Sequence, residues 1–570
     1  EHGADIPIKI HHLWKRPLIR QWLYDGKLYR EKDEREPSRF ELFFDLMFVG
    51  IVHQLADGAA ESGTGLNVLK FALLFWPSWS VWTDVRTYLN TSGTDDVKER
   101  LFLLGWMIIL CGYSANASGV KIEYATPEMI AALLGGGGEA SSHERRAIRS
   151  IASFFLRRAS TESSSSEEPA LARHIIGNYY FTEGYDSAIN AAITFYLIAK
   201  LWRLGLYFYY GVALPKFRKA LMLNAFAMTV IAAIYIPIAI TESPVLILIL
   251  MSSGIVVEVA RSYLVAAAMK LFHGRGKHRG KHMFIPALSQ EHSIERHVLF
   301  VILIVGESII NSTFVATSGT YGANEEFGRS ALAISIAFML IWLYYDADAS
   351  RTFQHALRRN WFTSITFCHL HFPLTASLIL MSSSLAKLVS HSEVSRGYLW
   401  YFGGSLATAV LCIGLIGLLH RNLDKHGSNL YPRWMRLVIR FVAAIIFALI
   451  PIKEDWKTIH FMGCYAGILF FIVTFETIGK LGAVGRRYDA VKAERYMLGE
   501  KAGGADPPLD TEAAHAAKKS AFKLSRRDSW HPFEDLTPAE KGEEDVGIET
   551  EIGHLEEKTL TSNQKWAYAA

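Results

Sequence analysis

The chain has 570 residues, 51% hydrophobic and 20% charged, with 59 Lys and Arg against 55 Asp and Glu and a formal net charge of +4. So small a charge leaves no electrostatic footprint for nucleic acid. A mean hydropathy of +0.17, concentrated in long apolar blocks, argues against a string of water-soluble domains. Soluble helices alternate apolar and polar faces, whereas crossing about 30 Å of hydrocarbon takes roughly 20 apolar residues in a row.

Residues 1–39 form a basic arm that includes Lys15, Arg16, Arg20, Lys27, Arg30 and Arg39. The arm shows no cleavable leader pattern, so the first apolar segment is expected to stay as a membrane helix. Twelve spans follow, near 40–57, 71–89, 101–118, 187–209, 219–240, 245–270, 297–317, 330–346, 362–388, 398–419, 436–452 and 459–480. The fold class is therefore an all-α polytopic integral membrane protein with about 12 transmembrane helices. Spans 1–3 occupy 40–118 and spans 4–12 occupy 186–480, separated by a loop insertion over 119–185. That insertion holds Gly135–Gly138 and Ser163–Ser166 and reads as low-complexity and disordered. Residues 481–570 are polar and poor in aliphatics, which predicts a disordered tail. Cys111, Cys368, Cys412 and Cys464 all lie in apolar blocks, so neither disulfides nor a metal cluster is expected.

Lys and Arg accumulate on the cytosolic side of short membrane loops. With the basic arm inside, the even-numbered loops carry Lys98/Arg100, Lys216/Arg218/Lys219, Arg275/Lys277/Arg279/Lys281, Arg351/Arg358/Arg359 and Arg421/Lys425/Arg433/Arg436. Most short odd-numbered loops are acidic or neutral. The pattern places both termini in the cytosol, in a plasma membrane or endomembrane, and the 119–185 insertion outside. Arg157-Arg158-Ala159-Ser160 resembles a basophilic kinase site, which would require the opposite side.

The first and seventh spans share Arg, Leu, Phe and Leu at one constant offset: Arg39, Leu42, Phe43, Leu46 against Arg296, Leu299, Phe300, Leu303. The sixth and twelfth each carry one glutamate, Glu258 and Glu476. These coincidences fit two parallel six-helix repeats, although apolar helices also resemble one another by composition alone.

Ionisable groups at membrane depth are costly and are functional candidates by default. Glu41 and Asp45 share one helix face, where they would repel unless they bind a cation or share a proton. Glu307 lies about 16 Å along its helix from Arg296, near the midplane, in a polar stripe with Asn311. Glu258 is central in its span, and a one-turn salt bridge to Arg261 would be the bland alternative. Asp84 and Arg86 read as snorkelling end residues. For Glu41, Asp45 and Glu307 the alternative to function is interhelical glue. His369 and His371 are two apart, so they face different sides; a bond from one of them to a carboxylate fits better than a shared metal. No P-loop, nucleophile elbow or dinucleotide fingerprint is present in the sequence, and no cofactor is expected.

Residues Glu41-Leu-Phe-Phe-Asp45-Leu-Met-Phe-Val49, Thr94-Asp95-Asp96, Glu295-Arg296-x-x-Leu299-Phe300 running to Gly306-Glu307-Ser308, and His371-Phe-Pro-Leu resemble the signatures of the low temperature requirement A (LtrA) family of membrane proteins. The insertion and the long tail depart from the family pattern and suggest a fungal member. The family name records a growth phenotype in the cold and implies no biochemical activity. A weaker similarity, Arg39-x-x-x-Phe43-x-Asp45, is to the first-helix signature of endolysosomal potassium channels, though Ile302 stands where the second repeat would need Asp.

The leading expectation is an ion- or proton-coupled transporter, with Glu41, Asp45 and Glu307 facing a polar cavity between the halves. The alternatives are a cation channel, a lipid-modifying enzyme using His369 or His371, and a non-catalytic scaffold or sensor. The expected partners are the bilayer and a small ion or solute, with no nucleic acid; an oligomer is compatible with all of these.

Overall fold

The computed structural model describes residues 15–24, 27–31, 36–60, 64–120, 122–124, 175–176, 179–181, 185–278, 283–315, 322–348, 353–422, 429–453, 455–481 and 555–559. Twelve long helices account for most of them: α1 (Arg39–Ala60), α2 (Gly65–Ser92), α3 (Val97–Ala117), α4 (Tyr185–Ala213), α5 (Arg218–Tyr235), α6 (Pro244–His278), α7 (Gln290–Val315), α8 (Glu325–Asp348), α9 (Trp361–Ser390), α10 (Arg396–Leu419), α11 (Arg433–Leu449) and α12 (Thr458–Gly479). Each of the twelve expected spans falls on one of these helices. Among the described residues, nine helices are long and apolar enough to cross a membrane. The remaining three, α1, α2 and α7, carry the buried charges described below. The protein is an all-α polytopic membrane protein.

Helix ends follow local chemistry. Ser38 and Glu41 cap α1 reciprocally: the Glu41 N–H donates to Ser38 Oγ at 3.3 Å and the Ser38 N–H to Glu41 Oε1 at 3.4 Å. Asn360 and Thr363 form the same box at the start of α9. Pro237 and Pro451 lack an N–H, and the chain tightens into 3₁₀ turns at Ile236–Ala239 and Ile450–Ile452, just after α5 and α11. Pro77 and Pro373 sit inside α2 and α9. Each removes one ladder bond there.

The two halves pack alike. In the first, α1 packs on α2 and α3, α3 on α4, α4 on α5 and α5 on α6, while α2 also meets α3, α4 and α6. Six helices on, α7 packs on α8 and α9, α9 on α10, α10 on α11 and α11 on α12, while α8 meets α9, α10 and α12. Every neighbour pair named for the first half thus recurs in the second, which supports the six-helix repeat far better than the sequence coincidences do. The halves meet where α1 packs on α7 and α9, and where α9 packs on α2 and α6. Small residues set the spacing of α3 and α4: Gly105 faces the Trp202 ring and Gly112 faces Phe195, with no room for a Cβ at either.

The arm and the tail are less featureless than composition implied. Trp22–Tyr24 pairs antiparallel with Lys27–Glu31 and with Ile285–Pro286, and Lys27–Glu31 pairs with Leu555–Thr559. A stretch of the tail read as disordered therefore adds a strand to a four-stranded sheet. The flanks of the insertion also pair, Ile122–Tyr124 with Tyr179–Phe181 and the latter with Ile175–Ile176. The rest of the insertion, 125–174, lies outside the described residues, as does 482–554.

Candidate functional site

Glu41 and Asp45 lie one turn apart on α1 and are 0% exposed. They do not face open space. Arg296 of α7 reaches both, with Nη1 donating to Glu41 Oε2 at 2.5 Å and with Nε and Nη2 donating to Asp45 at 2.8 and 2.6 Å. This two-pronged geometry matches a carboxylate to the flat guanidinium fork. Trp82 Nε1 of α2 donates to Asp45 Oδ1 at 2.7 Å. His292, one turn before Arg296, brings Nε2 to 3.0 Å from Glu41 Oε2, and its Nδ1 lies 3.0 Å from Asn90 Nδ2 of α2. Of the two ways out of repulsion expected for these acids, a cation or a shared proton, the structure supplies the cation. Their cation is a residue more than 250 positions away in sequence, so spacing along one helix could not reveal it.

Further along the same two helices, Glu307 of α7 lies 3.8 Å from His53 Nε2 of α1, and His53 lies 3.2 Å from Asp57. Glu307 thus has a histidine beside it, and its side chain keeps 27% exposure. Asn311 donates to Ser382 Oγ of α9 at 3.0 Å. Gly306 has nothing within 4 Å of where a Cβ would be. Ser308 is buried, and its Oγ has no hydrogen-bond partner. Between the two charged pairings, Phe48, Trp82 and Phe300 stack with centroids 4.7–6.2 Å apart. Aromatic rings therefore pack between the Arg296 cluster and the His53–Glu307 pair.

A second cluster surrounds a cavity of about 190 Å³ whose walls come from α2, α4, α5 and α6 and from α7 and α9 of the other half. Lys200 of α4 lies 2.6 Å from Asp84 Oδ2, 2.6 Å from Ser80 Oγ and 3.3 Å from Glu258 Oε1. Trp76 Nε1 and the Tyr196 hydroxyl also donate to Glu258. Asp84 and Arg86, read as snorkelling end residues, are both buried, and Glu258 takes its cation from α4 and not through the one-turn bridge that was the alternative reading. Arg261 instead turns toward Asp84, at 3.8 Å. Arg86 of α2 and Arg203 of α4 are 3% and 5% exposed. Arg86 lies over the Trp82 ring at 5.5 Å; Arg203 lies over Tyr207 at 4.2 Å and donates to its hydroxyl at 3.2 Å. Among the described residues, no hydrogen-bond partner serves the buried Nε and Nη1 of Arg86, Nε of Arg203, Nε of Arg261 or Nε2 of His369.

His369 borders this cavity, its ring stacked on Tyr263. His371 is fully buried, with Nε2 3.0 Å from the Tyr344 hydroxyl and Nδ1 2.8 Å from the Phe367 carbonyl. The two histidines do point apart, and His371 meets the Tyr344 phenol.

The Thr94-Asp95-Asp96 motif is a helix start. Asp96 caps α3 by accepting from the Glu99 N–H at 2.9 Å, and it also accepts from the Lys15 N–H at 2.9 Å. Asp95 takes the left-handed conformation (φ 48°) that Asp tolerates better than most residues. Arg39 and Glu295 are exposed on α1 and α7. Glu476 is held by Arg440 of α11 at 2.5 and 3.0 Å, a pairing between adjacent helices.

The sequence reading missed Lys200, Arg203 and His292, and it took the buried Arg86 for a snorkelling end residue. The rule that picked out Glu307 would have found the first two, since both interrupt the apolar α4 segment.

These features define a class: a polytopic helical membrane protein of two like-packed halves, with charge clusters buried at and beside their junction. A match to the family described as bacterial low temperature requirement A protein (LtrA) spans residues 37–133 and 177–468. The chain belongs to the LtrA family. Nothing in that match favours a fungal source. No curated protein and no solved structure matches the chain.

Proposed function

We propose that the protein is a transporter for a small polar solute, with the cavity bounded by α2, α4, α6 and α9 as its solute site. The observation that carries this reading is the cavity itself: a space of about 190 Å³, walled by both halves and lined with charged groups whose donors are incompletely used. Binding between like-packed halves is the arrangement that rocking transporters use. The Arg296 cluster then ties α1 to α7 across the junction, and His53 with Glu307 is the pair assigned to ion or proton coupling. In this reading the protein is not an enzyme, and both termini face the cytosol, as the loop charges imply. A cation channel is less well supported, because Arg296 neutralises the acids that would line its pore.

The test is uptake into liposomes holding the purified full-length protein, using labelled acetate, succinate, benzoate, phosphate, glutamate, glucose and rubidium. Saturable uptake of at least one non-metal solute is expected. Glu307→Gln should retain exchange of that solute while losing uphill accumulation. Flux of rubidium alone would establish the channel reading, and no flux with folded protein would overturn transport.

A further inference from the structure

Beside the cavity Lys200 pairs with Asp84 and Glu258, and Arg261 lies near Asp84; Arg86 and Arg203 line the same cavity. The carboxylates are already served: Lys200 bridges them, and Glu258 takes two further donors from Trp76 and Tyr196. Unspent donor capacity therefore sits on the arginines. Two of them, Arg86 and Arg203, are more than nine-tenths buried, line the cavity and hold Nε or Nη atoms without a partner. Leaving guanidinium donors unsatisfied away from water is costly, so such groups are normally paired. Aromatic faces hold them in place, Trp82 under Arg86 and Tyr88 and Tyr207 beside Arg203. Arg86 also meets the Cys368 thiol.

We propose that this cavity binds a small organic carboxylate, its anionic head taken by Arg86 and Arg203 and its body lying among Trp76, Trp79, Tyr88 and Tyr210. The guanidinium fork is matched to planar oxyanions and is weakly hydrated, so it serves better than lysine in a dry site. The aromatic wall favours an organic body over an inorganic ion. A space of about 190 Å³ limits that body to a ligand little larger than benzene, which fits a cavity of about 150 Å³. The inference rests on reading the cavity as the solute site.

The experiment is calorimetric titration of the full-length protein in nanodiscs with sodium benzoate, sodium succinate, sodium phosphate and sodium chloride, beside thermal unfolding of each variant. One of the two carboxylates should bind saturably, and Arg86→Gln and Arg203→Gln should each weaken it by roughly tenfold or more, the loss of one charge-assisted contact. Without ligand both variants should unfold no earlier than the wild type, because each loses an under-satisfied buried cation. Arg440→Gln, which breaks the pair with Glu476, should unfold earlier and bind benzoate or succinate as the wild type does. Saturable binding of phosphate or chloride alone would overturn the proposal. So would carboxylate binding that both cavity variants leave unchanged, or no binding by folded wild type. Binding without flux would refute transport and leave this inference standing; flux of glucose without carboxylate binding would do the reverse.

Discussion

Arg296 joins the first helix of each half. It is fully buried and serves two carboxylates on another helix. Arg296→Gln would leave Glu41 and Asp45 as adjacent buried charges, at a cost of about 3–5 kcal/mol. A sharp loss of monodisperse protein on fluorescence-detected size exclusion is expected. Adding Glu41→Gln and Asp45→Asn should restore much of that loss, because a fully neutral cluster has no uncompensated charge. Arg296→Lys should not substitute, since a single ammonium cannot reproduce the fork. Wild-type yield for Arg296→Gln would refute the role assigned to this cluster. Glu307→Gln is the contrast. Its partner is one histidine at 3.8 Å and it is part-exposed, so such a pair is worth about 1 kcal/mol at most. The variant should show wild-type yield and unfolding temperature; loss of folded protein would make Glu307 a structural residue.

At the scale of elements, the helices were legible in the sequence and their partners were not. Apolar blocks mark all twelve, nine of them apolar enough to span on composition alone, because a span's demand for about 20 apolar residues is local. Pairings such as Arg296–Asp45 or Lys200–Asp84 join residues more than a hundred positions apart, and periodicity along one helix holds no information about them. The pairing of Lys27–Glu31 with Leu555–Thr559 was illegible for another reason: both strands are short, and they lie at opposite ends of the chain. The interface of α3 with α4 gives an element-scale prediction. Gly112→Leu would drive a side chain into the Phe195 ring where not even a Cβ fits, at a cost of about 1–3 kcal/mol. Phe195→Ala in the same chain should recover part of that loss in thermal unfolding. An unchanged unfolding temperature for Gly112→Leu alone would show that α3 and α4 do not pack as described.

For the whole molecule, one packing pattern recurs six helices on, and the halves join mainly along α1, α7 and α9. The cavity draws its walls from both, so relative motion of the halves would change which side of the membrane it faces. Cys368 of α9 lines that cavity, and it provides a direct readout once Cys111, Cys412 and Cys464 are replaced by serine or alanine. The deciding measurement is modification of Cys368 by a membrane-impermeant thiol reagent, applied separately to right-side-out and inside-out vesicles. Transport by alternating exposure predicts labelling from both sides, slowed in each case by the solute that accumulates in the uptake assay. Labelling from one side only, or labelling indifferent to that solute, would contradict it.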